Sequence, residues 1–421
     1  MRIAPSVVVS FVLTQIVAAG LALGSEPARL DWPQWRGPDR DAILRDGPRW
    51  PDSFSTLQKR WRVSLGPGYS GPIVWGDRIF VTETQNKETE VVRALDRRDG
   101  REIWRAEWPG SLSVPFFAKS NGDWIRSTPA CDGKSLYVAG IRDVLVCLDV
   151  DTGAVRWRLD FPKQIDSPVP SFGFVSSPLL HGDYVYVQAG GGLAKVDKAT
   201  GALVWKVLDD GGGMNSAFSS PILAKIGETK QLLVQTRQEL TGVDLDTGEI
   251  LWRQTVPSFR GMNILTPTVY NDGVFTSTYK NRSFFYQLTT KQGKTTIQEA
   301  WEAKARGYMS SPVVIDDHAY LHLGNGRFCC IDLRTGEEKW RSKPFGKYWS
   351  MVAQGKRILA LDESGDLFLI DANPEAFRPI DRKVVAENEC WAHVAVSGET
   401  VLVRDLSGIT AFKWSNETQK N

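Results

Sequence analysis

A nine-residue pattern, Asp-x-x-(Thr/Asp)-Gly-x-x-x-Trp, occurs five times with unchanged internal spacing: Asp96 to Trp104, Asp149 to Trp157, Asp197 to Trp205, Asp244 to Trp252 and Asp332 to Trp340. Recurrence of this kind constrains the whole chain, because each copy marks one supersecondary unit that must be stacked on another to bury its apolar face. The pattern itself is a hairpin turn: Gly supplies the positive φ, the preceding Thr or Asp bonds nearby backbone, and the Asp favours the turn's start. Ahead of each turn lie two apolar stretches such as "YVYVQA" and "LAKVD". Further upstream a second mark opens another short strand: "GP" at 71, "STP" at 127, "SSP" at 176 and 219, "LTP" at 265 and "SSP" at 310. Each unit therefore holds four short strands and no helix.

The recurring Trp falls on the fourth strand, where its face can cover the neighbouring unit. Burying one indole removes roughly 150 to 250 Å² from water, worth about 4 to 6 kcal/mol as an upper bound, so Trp205→Ala is expected to cost about 3 to 5 kcal/mol. Sixteen tryptophans and thirty-eight glycines fit this scheme of tight turns around large anchors. A four-stranded sheet cannot hide both faces alone, and radial stacking solves the problem. The fold class is thus all-β, an eight-bladed β-propeller of four-stranded antiparallel blades. Eight is reached if the N-terminal strand around "KRWRVSL" completes the C-terminal blade; "LFLIDANPEAF" in place of the usual turn of blade seven leaves seven blades as an alternative.

The repeat resembles the quinoprotein-like, or PQQ-repeat, propellers, a family that includes PQQ-dependent alcohol dehydrogenases and the outer-membrane assembly lipoprotein BamB. The resemblance covers about residues 60 to 414, and its motif is specific for the fold, not for an activity. "DWPQWRGPDRDA", residues 31 to 42, looks like the lead-in of exported PQQ-like repeat proteins. The reading by segment is a secretory signal at 1–24, an N-terminal arm at 25–59, the propeller at 60–414 and a tail at 415–421. The signal rests on Arg2, the apolar run behind it, and Ala22 and Gly24 ahead of Ser25. It implies an exported, periplasmic or extracellular protein with no transmembrane helix after cleavage. The arm is expected to pack on the propeller through Trp32 and Trp35, with a partner-binding tail as the alternative.

Recognisable catalytic chemistry is sparse. Cys329 and Cys330 are adjacent, and in some quinone dehydrogenases such a pair forms a disulfide against the cofactor. Here the pair falls on the third strand of blade six, where neighbours point to opposite faces and Cα atoms lie about 3.8 Å apart, below the usual disulfide range. Structural thiols are expected. PQQ with calcium would enter only if the chain were a divergent PQQ-dependent dehydrogenase, and no calcium ligands, aspartate base or aromatic floor can be matched by position; no cofactor and no metal site are predicted. His318 and His322, four apart on a strand, are too distant to share a metal. With 51 Lys plus Arg against 49 Asp plus Glu, nothing points to nucleic acid as a partner.

What remains is the face carrying the loops between blades. There the sequence places Trp124, Arg126, Asn215, Phe218, Arg260, Met262, Asn263, Arg282, Arg306, Tyr308, Arg327 and Trp349. Guanidinium groups with aromatic and amide neighbours suit an anionic or sugar ligand, or a patch for an envelope protein. The plainer reading is that each arginine pairs with a local carboxylate or covers apolar surface with its stem. Function then divides between a non-catalytic binding scaffold, preferred, and the dehydrogenase.

Overall fold

The computed structural model describes Met1 and residues 30–209 and 217–415. The rest of the predicted signal segment, the tail beyond 415 and Asn215 lie outside the described residues. Eight sheets follow one another along the chain: 73–109, 130–160, 179–207, 222–255, 268–303, 313–344, 349–384 and 395–414. These are blades one to eight of a propeller, each a meander of antiparallel strands. Blade eight is completed by Leu57–Ser64, which pairs antiparallel with Gly408–Trp414 from Leu57 opposite Trp414 to Ser64 opposite Gly408. That strand starts ahead of the boundary placed at 60, and it closes the ring as the count required. Blade seven has the same four-stranded antiparallel meander as the others, so the count is eight. No helix among the described residues is long and apolar enough to cross a membrane.

Burial follows the layering. Middle strands are covered on both faces, as in Ser135–Gly140, which is buried throughout, whereas outer strands alternate, as in Glu102–Pro109. At the seams the recurrent Trp does two things. Its Nε1 donates to a turn carbonyl of the next blade: Trp61 to Arg97, Trp104 to Val150, Trp157 to Lys198, Trp205 to Asp246, Trp301 to Leu333 and Trp340 to Asn373, at 2.8 to 3.1 Å. Its ring also lies flat against the turn glycine. A Cβ on Gly153 would stand 2.5 Å from Trp104, and Gly153 has φ +73°, so the glycine is required both for its backbone and for the closeness of the indole.

The exceptions have physical reasons. Trp252 faces blade five, whose turn at Gly293 is a bare two-residue hairpin, and its Nε1 bonds Gln231 of its own blade instead. Blade seven presents Asp381 at the Trp position because blade eight has no turn to dock on; its carboxylate instead accepts the Phe54 N–H, and Trp50 and Phe54 stack on Trp414. Trp205 is half-buried, unlike Trp104 and Trp157 at 8% and 9% exposure. The large truncation cost assigned to Trp205 from the sequence therefore belongs to Trp104.

The strand-opening mark also has a structural basis. The hydroxyl before each proline accepts a backbone N–H from the preceding blade: Gly71 to Thr128, Thr128 to Ser177, Ser177 to Ser220, Ser220 to Thr266 and Thr266 to Ser311, at 2.9 to 3.1 Å. This girdle satisfies backbone donors on the inner edge, which has no further strand to pair with.

Cys329 and Cys330 sit on Arg327–Asp332, the third strand of blade six, and are free and buried. Cys329 packs with the blade five side and Cys330 with the blade seven side, as the alternation of a strand dictates.

Candidate functional site

The central channel is a cup, not a pore. The arm enters it with the stretch around Trp35. Trp32 exchanges backbone bonds with Val74 of blade one, the Cys131 N–H donates to the Pro33 carbonyl, and Ile43–Leu44 adds a short parallel strand to blade seven. Between these anchors two arginines are buried. Arg40 donates to the carbonyls of Ser177 and Pro178, and Arg36 to that of Pro312. Both guanidinium carbons lie 5.5 Å from the Trp35 ring. Burial pulls the Arg36 pKa down to about 10 and that of Arg40 to about 9; each remains cationic at neutral pH. The arm is thus an integral plug bonded across the ring.

Above Trp35 a cavity of about 200 Å³ opens toward the loop face. Tyr69, Arg126, Phe172 and Phe218 line it from the segments entering blades one to four, and Met262, Tyr308, Tyr348 and Trp391 from those entering blades five to eight. The rings contact one another: Tyr348 stacks on Trp391 at 5.5 Å, Trp391 meets Tyr69 at 5.7 Å, and Phe172 meets Phe218 at 5.6 Å. From Phe172 the aromatic path continues outward through Phe117 to Phe116, which are 57% and 84% exposed. Among the described residues of the lining, Arg126 is the single charged one. It donates to the Gly122 carbonyl, its guanidinium carbon lies 5.8 Å from the Tyr69 ring centre, and its buried Nε has no partner among the described residues. Burial lowers the Arg126 pKa and raises that of Tyr69 to about 12.

Of the residues singled out from the sequence, Arg126, Phe218, Met262 and Tyr308 come together in this cup, and Trp124 packs edge-on against Tyr69 at 5.7 Å. Arg306 lies just outside, in a groove between blades five and six. The others do not join. Arg260 is exposed beside Phe259, Arg282 pairs with Glu302 at 2.8 Å, and Arg327 donates to the Ser342 carbonyl. Asn263 is buried and holds the Arg237 and Val256 carbonyls. Trp349 is wholly buried, donating to Asp362 at 2.7 Å and stacked between His322 and Phe368, a core residue of blades six and seven. Sequence reading missed Tyr69, Phe172, Tyr348 and Trp391, and placed Trp35 only as an arm anchor. A signal existed for part of the set: the third residue before each strand-opening proline, namely Tyr69, Arg126, Val175, Phe218, Ile264 and Met309, lines the cup in every case.

Among the described residues the cup lining contains no Asp, Glu, His or Cys, and no three such groups are placed to hold a metal ion.

Comparison with known proteins bears on the fold and on the family. The model of the family described as outer membrane protein assembly factor BamB matches residues 88–342. Curated relatives of that name are 22% identical over 75% of this chain and 69% of theirs in Moranella endobia, and 21% identical over 77% and 70% in Yersinia pestis. Among solved structures, BamB from Moraxella catarrhalis superposes with a TM-score of 0.62 at 15% identity, covering 87% of this chain and 100% of that one. A europium-containing methanol dehydrogenase superposes at 0.52 with 14% identity, covering 90% of each. At such identities the structural likeness carries the fold alone.

Proposed function

The chain belongs to the family described as outer membrane protein assembly factor BamB, and on that premise we propose that it is an exported, non-catalytic scaffold that binds a protein of the cell envelope through the mouth of its channel. The observation carrying this reading is the composition of the cup among the described residues: aromatic and apolar side chains from the segments entering all eight blades, the hydroxyls of Thr128, Ser177, Ser220, Thr266 and Ser311, one arginine, and no carboxylate, imidazole or thiol. Recognition needs such a lining, with a few placed polar groups for orientation. Acid–base chemistry needs groups that titrate near the working pH, whereas burial raises the three tyrosines of the lining, Tyr69, Tyr308 and Tyr348, further from neutrality, and metal chemistry needs several oxygen ligands converging on one point.

The dehydrogenase alternative has support from the shared fold, and the residues present can be tested against it. PQQ with calcium calls for carboxylate and amide oxygens beside a cavity large enough for a tricyclic cofactor. The cup offers about 200 Å³, below the roughly 300 to 1,000 Å³ of ordinary cofactor sites. Cys329 and Cys330 are apart on opposite faces of a strand. The residues do not fit the group. The test is a photo-crosslinking residue at Met262, in the cup, and another at Asp246, in an exposed turn of blade four, each with envelope extract. A discrete protein adduct at Met262 alone supports the scaffold. Equal labelling at both positions, or PQQ- and calcium-dependent dye reduction, would refute it.

A further inference from the structure

The groove between blades five and six, of about 480 Å³, is lined by Lys280, Lys304, Arg306 and Arg341 and, among the described residues, by no acidic one. In a chain whose charges nearly cancel overall, four cations around one concavity are a local excess of positive potential. Arg341 is held by Glu338, and Lys280 sits over the rings of Phe259 and Tyr279 at 4.7 and 5.3 Å. Lys304 and Arg306 are exposed and make no ion pair among the described residues. Groove and cup adjoin: Tyr279 lines the groove, Tyr308 lines the cup, and the two rings stack at 4.4 Å.

We propose that this composite surface binds an acidic stretch of polypeptide, one aromatic or branched apolar side chain entering the cup and carboxylates following into the groove. The inference rests on the scaffold reading and names the chemistry of the partner segment. Charge complementarity selects an anion. The adjoining apolar cavity, sized for a single large side chain, selects polypeptide over a sulfated sugar or a polyphosphate, which carry the charge without an apolar anchor. Because extended chain advances about 3.3 Å per residue, contact between the two lining rings places the first carboxylate some two to four residues from the anchor.

The experiment is fluorescence anisotropy with the whole protein and three labelled, end-capped probes: a peptide with one phenylalanine followed by a run of glutamates, the same peptide with alanine for the phenylalanine, and the same with lysine for the glutamates. Expected is binding of the first, about tenfold weaker binding of the second, and none of the third. The double variant Lys304→Glu/Arg306→Glu, exposed and outside the core, should weaken the first about tenfold or more and flatten its dependence on salt. Unchanged affinity in that variant overturns the proposal, as does equal affinity of the first two probes or their displacement alike by heparin or inorganic polyphosphate. A discrete adduct at Met262 with a partner lacking any acidic segment would sink this inference and leave the scaffold standing.

Discussion

The seam between blades one and two offers a quantitative test of how the repeat holds the wheel together. Trp104 is 8% exposed and its Nε1 donates to the Val150 carbonyl at 2.9 Å. Trp104→Ala removes most of an indole from the interior and leaves that carbonyl without its donor, which places the cost at about 3 to 5 kcal/mol. Gly153→Ala attacks the same contact from the other side. At φ +73° an alanine loses about 1 to 2 kcal/mol, and its Cβ, 2.5 Å from Trp104 Cε3, adds about 1 to 3 kcal/mol of overpacking. In the Trp104→Ala background the clash has no partner and only the backbone strain persists. The double variant should therefore be more stable than the sum of the singles by about 1 to 3 kcal/mol. Gly182→Ala, at φ +54° with nothing within 4 Å of the added carbon, is the strain-only control, at about 1 to 2 kcal/mol. Guanidinium denaturation followed by circular dichroism reads all four variants. Additivity within about 0.5 kcal/mol, or a Gly153→Ala cost equal to that of Gly182→Ala, would refute the direct packing of ring on glycine.

Burial pushes the thiols of Cys131, Cys330 and Cys390 up to about 12 and that of Cys147 to about 11, so a thiol reagent should label none of the five cysteines in the native protein and all five after unfolding; a shortfall under denaturing, non-reducing conditions would reveal a disulfide. His393 is neutral in the fold, held by burial at about 3 against an ordinary 6.5, with Trp32, Trp35 and Arg36 around it. Below about 6.5 the unfolded chain takes up a proton that the native one refuses, so this group removes stability as pH falls toward 3. Glu90 and Asp143, raised by burial to about 7, act oppositely, stabilising at low pH and losing that contribution as pH rises toward 7. The informative quantity is the difference between wild type and His393→Gln: wild type should lose stability relative to the variant on acidification from 6.5, and parallel pH curves would contradict the assignment. Arg40→Ala leaves the Ser177 and Pro178 carbonyls unpaired, at about 1 to 3 kcal/mol each, and should speed hydrogen exchange across 31–44; unchanged exchange would mean that the plug is held elsewhere.

The wheel was legible because its marks are local. A turn glycine, a Trp four residues later and a proline at the strand's start each report a backbone requirement that recurs with the blade, so eight units and their closure could be counted. The alternation of a strand likewise separated Cys329 from Cys330. The site was only partly legible, because membership of a face says little about direction. Arg126, Phe218, Met262 and Tyr308 point down the axis, whereas Arg282 finds Glu302, Arg327 finds a carbonyl, and Trp349 turns into the core beside His322 and Phe368. Part of the lining follows a phase: Tyr69, Arg126, Val175, Phe218, Ile264 and Met309 each fall three places before the strand-opening proline, a rule visible only once the girdle of hydroxyl bonds has shown what that proline aligns, while Met262 and Tyr308 fall five and four places before it.

The arm shows why the remainder lay beyond local pattern. Its tryptophans invite a packing role, and Trp32 and Trp35 have one. Its arginines look like surface charge in a stretch rich in aspartate, yet Arg36 and Arg40 are 3% and 4% exposed. Their partners are carbonyl oxygens at the starts of blades three and six, far away in sequence and left over because the inner edge of each blade has no further strand beside it. In a wider channel water would satisfy those acceptors. Here a guanidinium, with five donors in a fixed fork, spans several at once, and the Trp35 ring shields the charge. The plug therefore follows from ring closure itself, and because it raises the floor to Trp35, the space left above is a shallow apolar cup, suited to gripping the end of something larger.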